Sequence, residues 1–533
     1  MTVKDGFQIN TVAIIGGGAA GITTLFELLN TKNDGSTTIR YKQNGELDNS
    51  ISNEDPAFSK VVLFEQTAKI GGIWSPSFEN PDTISQSMLE TERYNDPYVL
   101  RPETALPEQF GVEEYTLKNP LETKNHPGSY RWSSSGIYKH LYSNVPSRYL
   151  KNSFIPHKDR TGCEGSTRDI LEPLVPNGEI TNRLLDFAEE HNLAGKVRFN
   201  SEVARICKTP DGKKWKLIVK HSTENGLMAQ WYTEYFDAIV VATGHYSVPY
   251  VPHIKGLSSW NKELPSSVLH SKSYRNPDIF KDKVCLFVGT GLSGIDILQY
   301  TFPIAKQVIV SRTTGKEEIY KWLTNAANSD GIIVKPRIKE VIASNGKKII
   351  FEDNSSVDAV DYIIFSTGYH WHYTFLNSEE TGVRIFHRNG IPDGSSMIGG
   401  LYLNSFAIED PTLAFVGVTV SPFKWPSFEL AAATIAGMWT NNGKLPAKEF
   451  QVASEKKKIV ERSKSVLYHY YSVSNFPEYV NEASEFLPKG RKSSDIFDEN
   501  HLDDMNASAA TAERLFYQIK NKRILVEATL PTG

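Results

Sequence analysis

The sequence predicts an α/β protein built on two Rossmann-like dinucleotide-binding units, and three observations carry that reading. The stretch TVAIIGGGAAGITTLFELL, Thr11 to Leu29, sets a glycine-rich turn between a short apolar run and a helical pattern. A near-duplicate, KVCLFVGTGLSGIDILQYT, follows at Lys283 to Thr301. The apolar run after each turn ends differently, in Glu65 the first time and in Ser311–Arg312 the second. A chain of 533 residues has room for about three domain-sized units, at roughly 100–200 residues each.

Along the chain, Val12, Ile14 and Ile15 form the first buried strand, and Ile22, Leu25, Leu28 and Leu29 recur at helical spacing after the turn. The next strand is VVLFEQ, Val61 to Gln66. The polar stretch between them, Thr31 to Lys60, reads as a surface insertion. A second irregular stretch runs from Ser75 to Ser135 and is rich in Pro, Glu, Tyr and Asn. EITNRLLDFAEEHNL is an amphipathic helix, and WKLIVKH and FDAIVVATG are strands. The second glycine turn then opens another β–α unit, continued by QVIVSR and VDYIIFSTGYHW. From about Lys448 the pattern is helical and charged.

In Gly16-Gly17-Gly18-Ala19-Ala20-Gly21 the first glycine permits a tight turn and the second lets a pyrophosphate approach the backbone. The third, Gly21, allows close helix–strand packing, and the helix N-terminus faces the phosphates. Glu65 stands where an acid binds ribose hydroxyls, with the polar insertion explaining a separation above the usual ~20 residues. KIGGIWS follows at once and supplies Gly71, Gly72, Ile73 and Trp74 as another close-approach loop. In the second unit Gly289, Gly291 and Gly294 repeat the pattern around Thr290, Leu292 and Ser293. Ser311 and Arg312 there replace the acid. A carboxylate would repel a ribose 2′-phosphate, whereas a hydroxyl and a guanidinium would hold it. FAD followed by NADPH is the simplest assignment, with hydride passing from nicotinamide to flavin.

Composition removes other classes. The formal net charge is −4 with no dominant block of like charge, which argues against a nucleic-acid binder. The three cysteines, Cys163, Cys207 and Cys285, form no CxxC pair, so a disulfide scaffold, a zinc ribbon and a dithiol reductase are all disfavoured. No metal site is expected. The apolar run Val12 to Ile15 is too short for a signal sequence, and nothing approaches the roughly 18 apolar residues of a membrane span. The expectation is a cytoplasmic protein.

With these residues assembled, the chain resembles the flavin-containing monooxygenases of the class B flavoprotein group, in a fungal-type form. The likeness runs from about Thr11 to Pro446. It rests on the first glycine turn, Glu65, IGGIW, LYSNVP at Leu141 to Pro146, VVATGHYSVPYVP at Val240 to Pro252, the second turn, Ser311–Arg312, FSTGY at Phe365 to Tyr369, and DPTLAFVGV at Asp410 to Val418. The resemblance implies a glutathione-reductase-like pair of domains in which the NADPH domain is inserted in the FAD domain. The expected division is 1–246 for the first part of the FAD domain and 247–367 for the NADPH domain. Residues 368–533 would be the second part with a C-terminal helical tail.

The resemblance also assigns residues. Thr243–Gly244 and Thr367–Gly368, with Tyr369, would carry the crossovers between the two domains. Gly16, Gly18, Ala19, Ala20, Gly21, Gly72, Ile73, Trp74, Val203 and Glu429 would contact FAD. Gly289, Gly291, Ser293, Gly294, Ser311 and Arg312 would contact NADPH. Asn144, in LYSNVP, would lie near both flavin and nicotinamide as the catalytic residue, because an amide can hydrogen-bond there without offering an acidic proton. The family signature F-x-G-x-x-x-H-x-x-x-[Y/F] is met in part by LPSSVLHSKSY, where His270 and Tyr274 match and Leu264 and Ser266 depart from it. Trp371, His372, Tyr373 and Trp425 are candidate pocket residues. The implied cycle is reduction of FAD by NADPH, formation of a C4a-hydroperoxyflavin with molecular oxygen, and oxygen transfer to a soft nitrogen or sulfur of a small molecule. N-hydroxylation or Baeyer–Villiger oxygenation of a specific metabolite stays open, as does a redox flavoprotein that only consumes NADPH. The resemblance further implies a homodimer.

Overall fold

A computed structural model describes residues 6–76, 81–111, 113–125, 132–155, 170–223, 225–387, 396–524 and 526, so Cys163 lies outside the described residues. The strands that position the site are β1 (Thr11–Ile15), β2 (Lys60–Phe64), β3 (Val197–Arg198), β4 (Ala238–Val241), β5 (Val268–His270) and β6 (Val284–Val288). They continue as β7 (Gln307–Ser311), β8 (Ile332–Lys335), β9 (Tyr362–Phe365), β10 (Leu401–Tyr402), β11 (Phe406–Ala407) and β12 (Leu413–Phe415). Two sheets result. The first has the order β10-β11-β12-β4-β1-β2-β3, and the second has the order β8-β7-β6-β9-β5. The second sheet is parallel throughout, and in the first only the β10–β11–β12 edge is antiparallel.

The unbroken apolar runs follow from burial on both faces. Along β1, Val12 and Ile14 join a core with the helices, while Ala13 and Ile15 join a different one. That second core is built from a four-stranded antiparallel sheet (Leu121–Lys124, Met228–Phe236, Trp215–Ser222, Ser201–Lys208) and contains Val203, Ile206, Trp215 and Leu217. β6 behaves alike, with Val284 and Leu286 facing one core and Cys285 and Phe287 the other. Cys285 is thus a packing residue, and burial pushes its thiol up to about 12.

The helices that matter are α1 (Ala19–Leu29), α2 (Asn177–Glu190), α3 (Leu292–Thr301), α4 (Lys321–Ala327), α5 (Lys424–Trp439), α6 (Lys448–Arg462) and α7 (Asp503–Lys520). α1 lies against α5.

Two expectations are corrected, and one stretch left open by the sequence is placed. The stretch from Thr31 to Lys60 is not merely a surface insertion, because Ile39 and Phe58 are buried in the core of the first unit. Between Ser75 and Ser135 the described residues strap onto the second unit. Leu89, Leu100 and Trp132 are buried there, and the Tyr94 hydroxyl both donates to the Ile254 carbonyl at 3.0 Å and accepts from the Ile254 amide at 2.9 Å. The tail divides: α7 lays Ala512, Leu515, Phe516 and Ile519 on the second unit, against α3 and α4, rather than on the first. No helix among the described residues is long and apolar enough to cross a membrane.

Candidate functional site

Both glycine turns have the same division of labour. Gly16 has φ +107°, and a Cβ there would stand 2.8 Å from the Ala242 carbonyl oxygen. A Cβ on Gly21 would stand 1.8 Å from the Gly16 oxygen, so α1 could not lie so close to β1 with any larger residue. Gly289 and Gly294 repeat these constraints against Ser366 and Gly289, at 2.7 and 2.6 Å. Gly291, by contrast, faces open space within 4 Å. Neither α1 nor α3 has a side-chain cap, so their first N–H groups stay free for an anion. The residues therefore fit two bound dinucleotides. Gly71 and Gly72 lie beside the first turn, with the Gly71 amide donating to the Gly17 carbonyl at 2.8 Å.

These parts open into one cavity of about 1110 Å³ that spans both units. Gly16, Gly18, Ala19, Ala20, Glu65, Gly72, Ile73, Trp74, Asn144, Val203, Thr243, Gly244, Ser293 and Tyr369 all line it. The Glu65 carboxylate accepts from the Gly17 amide at 2.7 Å and from the amide and hydroxyl of Thr67, both at 2.8 Å. Burial raises its pKa, and these bonds oppose the rise. Asn144 is exposed to the cavity between buried Ser143 and Val145. The Ser143 hydroxyl donates to the Val145 carbonyl at 2.8 Å and accepts from the Val175 amide at 3.0 Å, which fixes the backbone on either side.

Other predicted residues lie off the cavity wall. Gly21, Gly289 and Gly294 act behind it through packing. Thr367 donates to the Tyr250 carbonyl, and the Gly368 carbonyl accepts from His270 Nε2 at 3.1 Å. His270 Nδ1 in turn accepts from the Lys272 amide at 3.1 Å, so Nε2 ties β5 to the crossover loop and Nδ1 caps the turn that follows β5. Burial, seconded by the Lys272 charge, pushes His270 down to about 3. Of the aromatic candidates, His372 and Trp425 line the cavity, whereas Trp371 and Tyr373 are core.

Two predicted contacts differ in the structure. The Ser311 hydroxyl is buried and donates to the Pro336 carbonyl at 2.8 Å, so it does not point outward beside Arg312. Arg337, exposed just past the neighbouring strand, donates from Nε to the Thr313 hydroxyl at 3.1 Å. Glu429 faces away from the cavity. Its carboxylate accepts from the Ser153 amide at 2.7 Å, from the Ser153 hydroxyl and from Arg491, which also pairs with Glu27 at 3.1 Å. This buried ionic clasp joins α1 and α5 to the tail.

Sequence reading missed several polar residues on the wall. Asp296, one turn into α3, has a carboxyl that burial pushes up to about 8. It accepts from Gln299 at 2.7 Å, and Gln299 accepts from the Tyr142 hydroxyl at 3.2 Å, linking α3 to the Asn144 segment. Lys272 donates to the Tyr246 carbonyl at 3.1 Å and burial pushes it down to about 7. Lys424, in the first turn of α5, is similarly depressed. Lys272 falls inside the LPSSVLHSKSY segment noted for His270 and Tyr274, and Lys424 directly precedes Trp425; only the fold reveals their burial.

The sequence matches the family described as flavin-binding monooxygenase-like over residues 168–331 and 323–492. It is 28% identical over 445 residues to flavin-containing monooxygenase FMO GS-OX5 of Arabidopsis thaliana, covering 82% of this chain and 75% of that protein. It is 27% identical over 426 residues to flavin-containing monooxygenase ustF2 of Aspergillus flavus, covering 76% of this chain and 82% of that one. Among solved structures, S-allyl-L-cysteine S-oxygenase from Allium sativum shares the fold with a TM-score of 0.58 at 22% identity, covering 97% of this chain and 93% of that one.

Proposed function

This chain belongs to the flavin-binding monooxygenase-like family, and from that premise we propose that FAD sits on the first glycine turn, NADPH on the second, and the oxygenated atom near Asn144. The protein is an NADPH- and FAD-dependent monooxygenase that acts on a small molecule with molecular oxygen. The carrying observation is the single cavity into which both uncapped helix N-termini open and on which Asn144 lies.

Bound FAD supplies the two-electron and oxygen chemistry. The chain's own residues bind, orient and exclude water. The N–H groups of Ala19 and Ala20 meet one pyrophosphate, and those of Leu292 and Ser293 the other. Glu65 accepts from ribose hydroxyls, while Arg312 and Arg337 hold the 2′-phosphate. The Asn144 amide donates without an acidic proton and so does not hasten loss of reduced oxygen as peroxide. The oxygenated atom is a soft nitrogen or sulfur; the sulfur chemistry named for the Allium sativum protein favours a thioether as the first compound to test. We assign the activity to the cytoplasm, since Cys207 and Cys285 are free thiols, and to a homodimer, on the family resemblance.

Anaerobic NADPH should bleach the flavin of the wild-type chain. Gly291→Asp adds a carboxylate where the second pyrophosphate would lie, in space that accommodates it. The variant should keep stoichiometric FAD and lose reduction by NADPH. Loss of FAD with retained NADPH binding would reverse the assignment of the two turns.

A further inference from the structure

The cavity holds a cation that the described residues leave without a counter-ion. The Lys424 ammonium donates to the carbonyls of Gly417 at 3.1 Å and Thr419 at 2.7 Å, and its third N–H is unengaged among the described residues. The Phe428 ring lies 5.6 Å from it, and no carboxylate pairs with it among those residues. It also stands in the first turn of α5, where the positive end of the helix dipole opposes a cation. Burial pushes it down to about 7. His245 and His469, the titratable groups that feel its charge, are themselves held neutral by burial and offer no compensation. A lone cation kept against desolvation and a helix dipole is relieved when an anion arrives beside it.

The topology indicates which anion. β1 lies in the middle of its sheet, with β2 and Glu65 on one side and β4 and β12 on the other. A dinucleotide whose pyrophosphate met α1 and whose adenosine ribose met Glu65 would carry its flavin toward the opposite side. On that side the cavity is lined by Thr243 and Gly244 after β4, by Gly417 after β12, and by Lys424 and Trp425.

We propose that Lys424 is the charge that stabilises the isoalloxazine in its reduced, anionic form. Hydride leaves the nicotinamide C4 with both electrons of its bond and forms an N–H bond at flavin N5. NADPH becomes NADP+, and the ring gains one negative charge, shared over N1 and the C2 carbonyl. Lys424 transfers no proton to the reacting atoms; in its protonated form it supplies the positive charge next to that charge. The proposal rests on FAD occupying the cavity as described above.

Dye-equilibration titration of the FAD-loaded chain tests it. Lys424→Met should lower the equilibrium constant for two-electron reduction at least tenfold, a fall of about 30 mV in midpoint potential, while Lys424→Arg stays near wild type. If Lys424→Met does not retain FAD, Lys424→Gln, which keeps donors toward Gly417 and Thr419, is titrated against the same criterion. A wild-type potential in the FAD-loaded neutral variant, or an equal fall in Lys424→Arg, overturns the proposal. The underlying FAD placement fails separately, if Gly21→Val keeps stoichiometric FAD.

Discussion

At the scale of single residues the site separates binding from chemistry. Arg312 and Arg337 lie just past the β7 and β8 strand ends, where the proposed function sets them against the 2′-phosphate. Arg312→Ala is expected to weaken NADPH binding by about 10- to 100-fold, in line with ~1.5–3 kcal/mol for a charged hydrogen bond, and to leave NADH nearly unchanged. Equilibrium binding of the two nucleotides measures this, and equal losses would remove the 2′-phosphate role. Asn144→Ala should leave flavin reduction intact and divert oxygen to H2O2. The ratio of peroxide released to NADPH consumed reads that, and an unchanged ratio with a good substrate would demote Asn144 to a turn residue.

At the scale of elements, the glycine turns and the ionic clasp hold the helices in place. Gly21→Ala forces α1 off β1, since the added Cβ meets the Gly16 oxygen, and should cost about 1–3 kcal/mol by overpacking together with FAD. Thermal unfolding and the ratio of flavin to protein absorbance report both. Arg491→Met would leave Glu27 and Glu429 buried without their cation and should destabilise by about 3–5 kcal/mol in denaturant unfolding. The turns were legible in the sequence because their requirement is local: a strand, a glycine with nowhere to put a Cβ, then a helix. Glu65 was legible for the same reason, as the residue just past the next strand. Glu429 was misread because its partners, Ser153 and Arg491, come from distant parts of the chain. Lys424 and Lys272 went unnoticed because a lysine's burial is a property of the assembled fold and leaves no mark on periodicity.

For the whole molecule, burial of histidines ties stability to pH. His270 and His370 are both pushed down to about 3 from 6.5, chiefly by burial. Their folded pKa values are depressed, so the stability they contribute is complete above pH 6.5 and is lost as pH falls toward 3. Each should cost about 1.4 kcal/mol per pH unit across that window. The unfolding midpoint should therefore drop from neutral pH to about pH 5, and His270→Gln should flatten the slope. The two-unit plan was readable from the repeated turns. The straps that bind the units together were not, because Tyr94, Trp132 and α7 find their cores across large gaps in sequence.

In the proposed function NADPH-derived electrons activate oxygen in this cavity for transfer to a soft nucleophile. The most direct measurement supplies the FAD-loaded protein with NADPH, isotopically labelled oxygen and either a thioether or a tertiary amine, and follows the label. One labelled oxygen atom should appear in the product for each NADPH consumed. Recovery of all the label as H2O2 and water, with both compounds unchanged, would contradict it.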